Sequence, residues 1–210
     1  MSAYSVVKQF EARVAKHFGL KYGIAVDCCT SAIFLSLMYR RATRVWGNCD
    51  IDFALIPNRT YISVPFAVIQ VGLHVRFNDF QWSYAYSIDP WDVIDAAKMW
   101  KGAADVTPQM PDGLWCVSFH IKKPLPIGRG GMILTNDAKA VKWLRKARYD
   151  GRTEGVALAD DKITTHGWHR YMMPEQAARG MALMDIYPGG VDIPREEYPD
   201  LSQMPVFKGL

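Results

Sequence analysis

The sequence predicts an α/β domain in which a mostly parallel sheet is flanked by helices. Amphipathic segments with helical spacing alternate along the chain with short apolar runs that suit buried strands. The 210 residues, of which 50% are hydrophobic, are enough for one domain with a substantial core. We expect the connections between parallel strands to be right-handed crossovers.

The helices are predicted from apolar residues that recur on one face. Val6–Phe18 shows this spacing, and Gly19 suits the position just after the end of a helix. Pro65 and Pro174 each fall in the first turn of a later helix, where proline is tolerated. The remaining helices are expected at Thr30–Arg41, Ser63–Val71, Ala138–Arg148 and Pro174–Met184.

The strands are predicted from short apolar runs bounded by turn residues. They are expected at Tyr22–Val26, Phe53–Pro57, Val75–Asn78, Val93–Ile94, Trp115–Phe119 and Met132–Thr135. After Pro188 the chain is rich in proline and glycine, which favours an extended backbone. Residues 1–187 are therefore expected to form the α/β domain, and residues 188–210 an extended C-terminal tail.

Charge and composition argue against several classes of partner. The net charge is +4 and the basic residues are mostly scattered, so we expect no nucleic-acid partner. No apolar stretch reaches the length of a membrane span, and the N-terminus does not resemble a signal peptide. The cysteines show no metal-binding pattern, which indicates reduced thiols in a cytoplasmic protein. They are Cys28, Cys29, Cys49 and Cys116.

Two lysines lie in the loop between the last two predicted strands. A lysine at the end of a buried strand can be partly desolvated, which lowers the pKa of its amine. The neutral amine is a nucleophile toward carbonyls and can form a Schiff base. On these residues alone, Lys122 and Lys123 can equally be solvated surface charges.

Two further positions suit a ligand with a phosphate and a basic ring. Cys29-Thr30-Ser31 begins a helix directly after a strand, where free N–H groups and hydroxyls bind phosphate. Asp95 follows the strand Val93–Ile94, at the edge where open α/β sheets bind ligands. The alternatives are ordinary helix caps: Ser and Thr are common at such positions, and Asp95 can cap a helix that begins at Ala96.

The lysine loop resembles a known signature. Ser-Phe-His at 118–120, then Lys123, then Gly-Arg-Gly-Gly at 128–131 is similar to the Ser-Phe-His-x-x-Lys…Gly-Glu-Gly-Gly pattern of the DegT/DnrJ/StrS family. Its members are pyridoxal-phosphate (PLP) dependent aminotransferases that act mostly on nucleotide-linked keto sugars. The resemblance implies the large domain of a fold-type-I PLP aminotransferase, with Arg129 where the family usually has Glu.

The resemblance also implies roles for individual residues. Lys123 would be the Schiff-base lysine, and Asp95 would keep the pyridine nitrogen of PLP protonated. Tyr61 would stack on the ring, although an aromatic residue after a strand can simply pack on the sheet. Thr30 and Ser31 would hold the phosphate.

Three more cofactor-binding residues follow from the same resemblance. They are Ser118, His120 and His169. His169 lies in the segment Gly167–Ala178, which in the family reaches into the site of a partner subunit, and a homodimer with shared active sites is therefore implied. An ordinary surface histidine is the alternative for His169.

The sequence departs from the family at several points. Cys29 replaces a glycine, and Lys98 replaces a Gln or His that contacts the cofactor. One strand-and-helix crossover before Asp95 is absent or replaced by the aromatic stretch 82–86, and the small C-terminal domain is missing. This shortened outline resembles, more loosely, DegT-like proteins encoded by bacteriophages, which would work in the host cytoplasm.

Three functions are compatible with these observations. The family implies amino transfer from an amino acid, usually glutamate, to a keto sugar. A reduced scaffold that binds a nucleotide sugar, cofactor or protein partner without catalysis is the alternative that the missing domain favours. A related PLP reaction such as dehydration or decarboxylation is the third.

Overall fold

A computed structural model describes residues 4–43, 51–100, 113–186 and 197–208. The five helices in these ranges are α1 (Ser5–His17), α2 (Cys29–Thr43), α3 (Ser63–Gln70), α4 (Ala138–Ala147) and α5 (Pro174–Ile186). The strands are β1 (Tyr22–Val26), β2 (Phe53–Pro57), β3 (His74–Asn78), β4 (Tyr86–Ile88), β5 (Val93–Asp95), β6 (Leu114–Ser118) and β7 (Gly131–Thr135). Two short 3₁₀ turns follow at Leu201–Gln203 and Pro205–Phe207.

The α/β fold class predicted from the sequence is confirmed. Five strands form one sheet in the order β1-β7-β6-β5-β4, and β2 pairs with β3. Backbone hydrogen bonds of 2.8 and 3.1 Å between Leu55 and Asp89 connect β2 to the end of β4. Through these pairings β1, β2, β3, β5 and β6 run in the same direction.

The expected predominance of parallel pairing needs a correction. The reversed strands β4 and β7 lie among the others, so β1–β7, β6–β7 and β4–β5 are antiparallel, whereas β5–β6 and β2–β3 are parallel. The strand β4 was not predicted. It runs antiparallel to β5 because the connection between the two strands is too short for a crossover. Residues 89–92 join the two strands as a tight turn, and antiparallel neighbours need no more than that.

The aromatic stretch 82–86 stands at the point where the sequence was expected to lack or replace one crossover of the family. It leads into β4, whose Tyr86 faces Asp95 across the ladder. Residues 97–98 form a turn rather than the first turn of a helix. The Asp95 carboxylate nevertheless accepts a hydrogen bond of 3.0 Å from the Ala97 N–H, as a cap would. The sheet therefore continues through a hairpin at the place where the family inserts a strand and a helix.

Two hydrophobic layers cover the sheet. Alternate residues of one strand point to opposite faces, so in β1 Ile24 and Val26 pack with α2, α3 and α4, whereas Ala25 packs with α1 and α5. All residues of β6 and β7 are buried, as expected for strands covered on both faces. Within the described ranges, no helix has both the length and the apolar character needed to cross a bilayer.

The C-terminal tail differs from the extended segment that was expected. Its described part, residues 197–208, folds into the two 3₁₀ turns and packs back on the domain. Leu201 is 1% exposed, and its N–H donates a 2.8 Å hydrogen bond to the Asn58 carbonyl. The Phe207 ring lies 5.4 Å from that of Phe66 and 5.5 Å from that of Phe77. Burial of these two apolar side chains outweighs the bias of proline toward an extended chain.

A buried ion pair joins α1 to the segment that follows α4. Arg148 is 2% exposed and donates hydrogen bonds to Glu11, to the Ala25 carbonyl at 2.6 Å and to Glu154 at 2.8 Å. Glu11 also accepts a 2.9 Å bond from the Ala25 N–H. The two side chains thereby satisfy the backbone of β1 at the open edge of the sheet. Desolvation lowers the pKa of Arg148, but the charges of Glu11 and Glu154 outweigh it and raise that pKa overall.

We expect Arg148→Met to lower the free energy of unfolding by about 3–5 kcal/mol, because it leaves the Glu11 carboxylate buried without its closest cation. Arg145→Met is the matched control. Arg145 lies 3.6 Å from the same carboxylate, but its side chain is 46% exposed, so a loss below about 1 kcal/mol is expected. Urea denaturation measures both, and equal losses would contradict a dominant role for the buried pair.

Candidate active site

A cavity of about 600 Å³ opens at the carboxyl ends of β5 and β6 and the N-terminus of α2. Sequence-predicted site residues line it from four separate segments of the chain. They are Thr30, Tyr61, Asp95, Ser118, His120 and Lys123. Ser31 and His169 do not line it. The structure therefore brings together most of the residues that the sequence singled out, although Thr30 and Lys123 are 93 positions apart in the sequence.

Asp95 is the most buried charged group of the cavity, at 4% exposure. Its carboxylate accepts a 2.8 Å hydrogen bond from the Tyr86 hydroxyl and a 3.0 Å bond from the Ala97 N–H. Burial raises the pKa of Asp95, while the two hydrogen bonds and the charges of Lys123 and Lys98 act in the opposite direction. Because the pKa of Asp95 remains raised overall, a further cation or hydrogen-bond donor in the cavity would stabilise its ionised form.

Tyr86 and Thr60 support Asp95, and sequence reasoning missed both. The Thr60 hydroxyl lies 2.7 Å from the Tyr86 hydroxyl, which in turn donates to Asp95. Thr60 therefore acts as the donor to Tyr86. Burial, followed by the charge of Asp95, raises the pKa of Tyr86 well above its usual value, so the phenol keeps its proton. The only signal in the sequence was the aromatic stretch that contains Tyr86.

Lys123 and Lys122 differ in their surroundings. Lys123 is half-buried, and its N–H donates a 2.8 Å hydrogen bond to the His120 carbonyl, which closes a tight turn. Its charge acts to lower the pKa of both Asp95 and Cys29. Lys122 is exposed. Both lysines line the cavity, and Lys123 is the more buried of the two.

Ser118 and His120 shape the same loop. The Ser118 hydroxyl is on a side chain at the buried end of β6 and accepts a 3.3 Å hydrogen bond from the His120 N–H. His120 is exposed and lines the cavity beside Lys123. Both residues thus fix the turn that carries the lysine as well as forming the cavity wall.

The N-terminus of α2 offers hydroxyls to the cavity. The Thr30 and Ser63 hydroxyls are 2.7 Å apart, and both residues line the cavity. The first N–H groups of a helix lack partners within the helix, so an anion is stabilised there. Ser31 instead is 1% exposed and accepts a 3.0 Å bond from Arg170. Ser31 therefore contributes to the cavity indirectly, because it helps to hold α2 in place.

Cys29 occupies the position of a family glycine without blocking the turn. Its thiol points toward the Cys116 carbonyl, at 3.5 Å, and burial raises its pKa well above the usual value. The close backbone approach is made by Gly131 of β7. A Cβ there would lie 2.5 Å from the carbonyl carbon of Cys28 and from the nitrogen of Cys29. Arg129, at the other departure, forms a 3.0 Å ion pair with Asp27.

Aromatic side chains form the outer wall of the cavity. The Tyr61 side chain is 58% exposed, so its ring has a face available to a flat ligand. Trp82, Lys98 and Tyr198 line the cavity as well, and sequence reasoning assigned none of them a place in it beyond noting the exchange at Lys98.

His169 lies outside the cavity of its own chain. Its ring nitrogen Nδ1 is 2.9 Å from the Asp150 carboxylate, and its side chain is 72% exposed. The ring also contacts that of Tyr171, with centroids 4.7 Å apart. A role for His169 in a cofactor site thus requires a second subunit, as the sequence resemblance implied.

The chain belongs to the DegT/DnrJ/EryC1/StrS aminotransferase family, whose model matches residues 1–98 and 112–186. This confirms the resemblance seen in the lysine loop. No curated protein sequence matches the chain significantly.

Solved structures with the same fold include three aminotransferases. The sugar aminotransferase CalS13 from Micromonospora echinospora is 15% identical, with a TM-score of 0.69 over 88% of this chain and 61% of its own. PseC from Helicobacter pylori, an aminotransferase of pseudoaminic acid biosynthesis, is 15% identical (TM-score 0.65, 86% and 57%). TlmJ from Streptoalloteichus hindustanus is 19% identical (TM-score 0.66, 87% and 59%). The chain spans about 60% of the length of such structures.

The raised pKa of Asp95 predicts how stability depends on pH. Because the folded state favours the protonated carboxyl, its contribution to stability is fully present below the unfolded pKa and is lost as pH rises through the folded pKa. Asp95→Asn removes this titration. We therefore expect the stability of the variant relative to wild type, both without added ligand, to increase with pH above about 4.

Urea denaturation across the acidic to neutral range measures this difference. Asp92→Asn is the control, since Asp92 is exposed at φ 51°, a conformation that asparagine also tolerates. Because an exposed carboxyl keeps most of its hydration in the folded state, its difference from wild type should vary less with pH than that of Asp95→Asn. A flat or falling difference for Asp95→Asn would show that burial does not destabilise the charged carboxylate.

Proposed function

We propose that the protein is a PLP-dependent aminotransferase that moves an amino group from an amino acid to a nucleotide-linked keto sugar. Glutamate is the expected donor. The observation that carries the proposal is that Lys123 and the buried carboxylate of Asp95 line the same cavity, where the lysine charge acts to lower the carboxyl pKa. Membership of the aminotransferase family supports the same chemistry.

The residues of the cavity fit PLP at each of its functional groups. Lys123 suits the aldehyde, and Asp95 suits the pyridine nitrogen, since the buried carboxylate favours a cationic partner. The Thr30 and Ser63 hydroxyls at the N-terminus of α2 suit the phosphate. The exposed ring of Tyr61 suits the face of the pyridine.

When bound, PLP supplies an electron sink for the carbon that loses or gains the amino group. The Asp95 carboxylate would hold a proton on the ring nitrogen, and the hydrogen bond from the Tyr86 hydroxyl orients that carboxylate and favours its ionised form. The Lys123 Nζ would act as a general base that takes a proton from the substrate carbon, and then as a general acid that gives this proton to the cofactor. The Tyr61 ring limits the access of water to the cofactor face.

A homodimer is part of this proposal. His169 is exposed and does not line the cavity of its own chain, so in this proposal it contacts the cofactor of a second subunit. Its segment also contacts the domain core: Arg170 donates to the Ser31 hydroxyl at 3.0 Å. The free thiols Cys28, Cys29 and Cys116 fit a reducing compartment such as the cytoplasm.

Lys123→Ala tests the proposed function most simply. Wild-type protein with added PLP should show visible absorbance, and borohydride should attach the cofactor covalently to Lys123, as read by peptide mass spectrometry. We expect Lys123→Ala to lose both signals, because it removes the amine that this proposal assigns to the aldehyde of the cofactor. Lys122→Ala, which changes the exposed neighbour, should keep them.

Other outcomes separate the alternatives. Attachment to another lysine, or unchanged absorbance in Lys123→Ala, contradicts the assignment of the anchor. If the wild type binds PLP through Lys123 but glutamate and other amino donors never convert it to the pyridoxamine form, a scaffold or a different PLP reaction replaces amino transfer.

His169→Ala tests the shared site. Because the His169–Asp150 pair is at the surface, we expect the unfolding free energy to change by less than about 1 kcal/mol, while PLP affinity falls. Light scattering should show a dimer for both proteins. A monomer that binds PLP equally well with and without His169 would refute the shared site.

A further inference from the structure

The C-terminal segment reaches the cavity through one side chain. Tyr198 is half-buried and lines the cavity beside Lys98 and Trp82. Its ring lies nearly parallel to that of Trp82, at an interplanar angle of 14° and a centroid distance of 6.1 Å. A residue 100 positions after Lys98 in the sequence thus forms part of the same wall.

Lys98 lies against both of these rings. Its ammonium nitrogen is 4.9 Å from the centroid of Trp82 and 4.5 Å from that of Tyr198. Both distances are within the range of cation–π attraction, which strengthens when the cation is desolvated. Lys98 is 9% exposed, and its charge acts on the pKa of Asp95. The rings therefore hold a second ammonium group inside the active-site cavity.

The Trp82 ring is held in place by contacts with the loop after β2 and with β4. The Trp82 indole N–H donates a 2.8 Å hydrogen bond to the Arg59 carbonyl. Its ring packs on Tyr86, with centroids 4.8 Å apart, and Tyr86 in turn donates to Asp95. A continuous set of contacts thus runs from Tyr198 through Trp82 and Tyr86 to the buried carboxylate.

The Tyr198 side is fixed by the rest of the segment. Leu201 is buried and bonded to the Asn58 carbonyl, and the Asp200 carboxylate lies 4.0 Å from Arg59. Residues 58–60 belong to the loop after β2 that also brings Thr60 and Tyr61 to the cavity. The C-terminal segment is therefore anchored on an active-site loop and not on a remote surface.

We infer that Tyr198 is a positioning residue of the active site: it holds the Lys98 ammonium in the cavity, against its own ring and that of Trp82. The segment from Glu197 to Lys208 thereby forms a wall of the site. This inference deepens the proposed function and rests on it for the identity of the ligand. The position of Lys98 itself can be measured without any ligand.

Amine labelling of the full-length protein measures that position. Reductive methylation followed by peptide mass spectrometry gives the reactivity of Lys98 relative to the exposed Lys139. We expect a severalfold rise in Tyr198→Ala, because loss of the ring exposes the amine. Tyr198→Phe keeps the aromatic face and should match wild type. So should Val206→Ala, which changes a side chain that is 53% exposed in the same segment.

A second readout separates an active-site role from simple shielding. In Tyr198→Ala the dissociation constant of PLP, or the KM of an amino donor, should rise severalfold, and Tyr198→Phe should restore it. Unchanged Lys98 labelling in Tyr198→Ala overturns the inference even if PLP binds normally. Increased labelling with unaltered PLP binding and KM also overturns it, since Tyr198 would then shield Lys98 without serving the site. If PLP never binds, the proposed function fails, whereas the labelling result still reports on the wall.

Discussion

The burial of the Asp95 carboxylate is the constraint on which the site depends. A carboxylate at 4% exposure loses most of its hydration, which is costly unless hydrogen bonds and cations replace the water. The Tyr86 hydroxyl and the Ala97 N–H supply the hydrogen bonds, and Lys123 and Lys98 supply the charge. Each of three parts of the fold helps to bring these groups to the carboxylate: β4, the lysine loop and the C-terminal segment.

The reversed strand β4 is central to this arrangement. A parallel crossover before β5 would place a helix between the two strands in sequence. The tight turn at residues 89–92 instead sets Tyr86 directly opposite Asp95 in an antiparallel ladder. The same turn keeps the aromatic stretch close to the cavity, so Trp82 packs on Tyr86 and also meets Lys98 and Tyr198. The tight turn therefore places aromatic side chains in the wall of the cavity.

Much of this could be predicted from local sequence. The strands Tyr22–Val26 and Phe53–Pro57 have the bounds expected from their apolar runs, and Asp95 lies at a strand end as expected. Lys123 could be distinguished from Lys122 only through resemblance. The missed features depend on contacts between distant segments. A three-residue strand such as β4 carries too little periodicity to be recognised, and nothing near Lys98 in the sequence indicates that Tyr198 covers it.

The departures from the family signature are accommodated without loss of the cavity. Cys29 fits because its thiol turns toward the Cys116 carbonyl, while Gly131 provides the close backbone contact. Arg129 pairs with Asp27 at the rim.

A crystal structure of the protein grown with PLP tests the central claim most directly. The account predicts electron density continuous with the Lys123 amine, with the ring nitrogen at hydrogen-bonding distance from the Asp95 carboxylate. Cofactor bound elsewhere, or a Lys123 amine in bulk solvent and remote from Asp95, would contradict it.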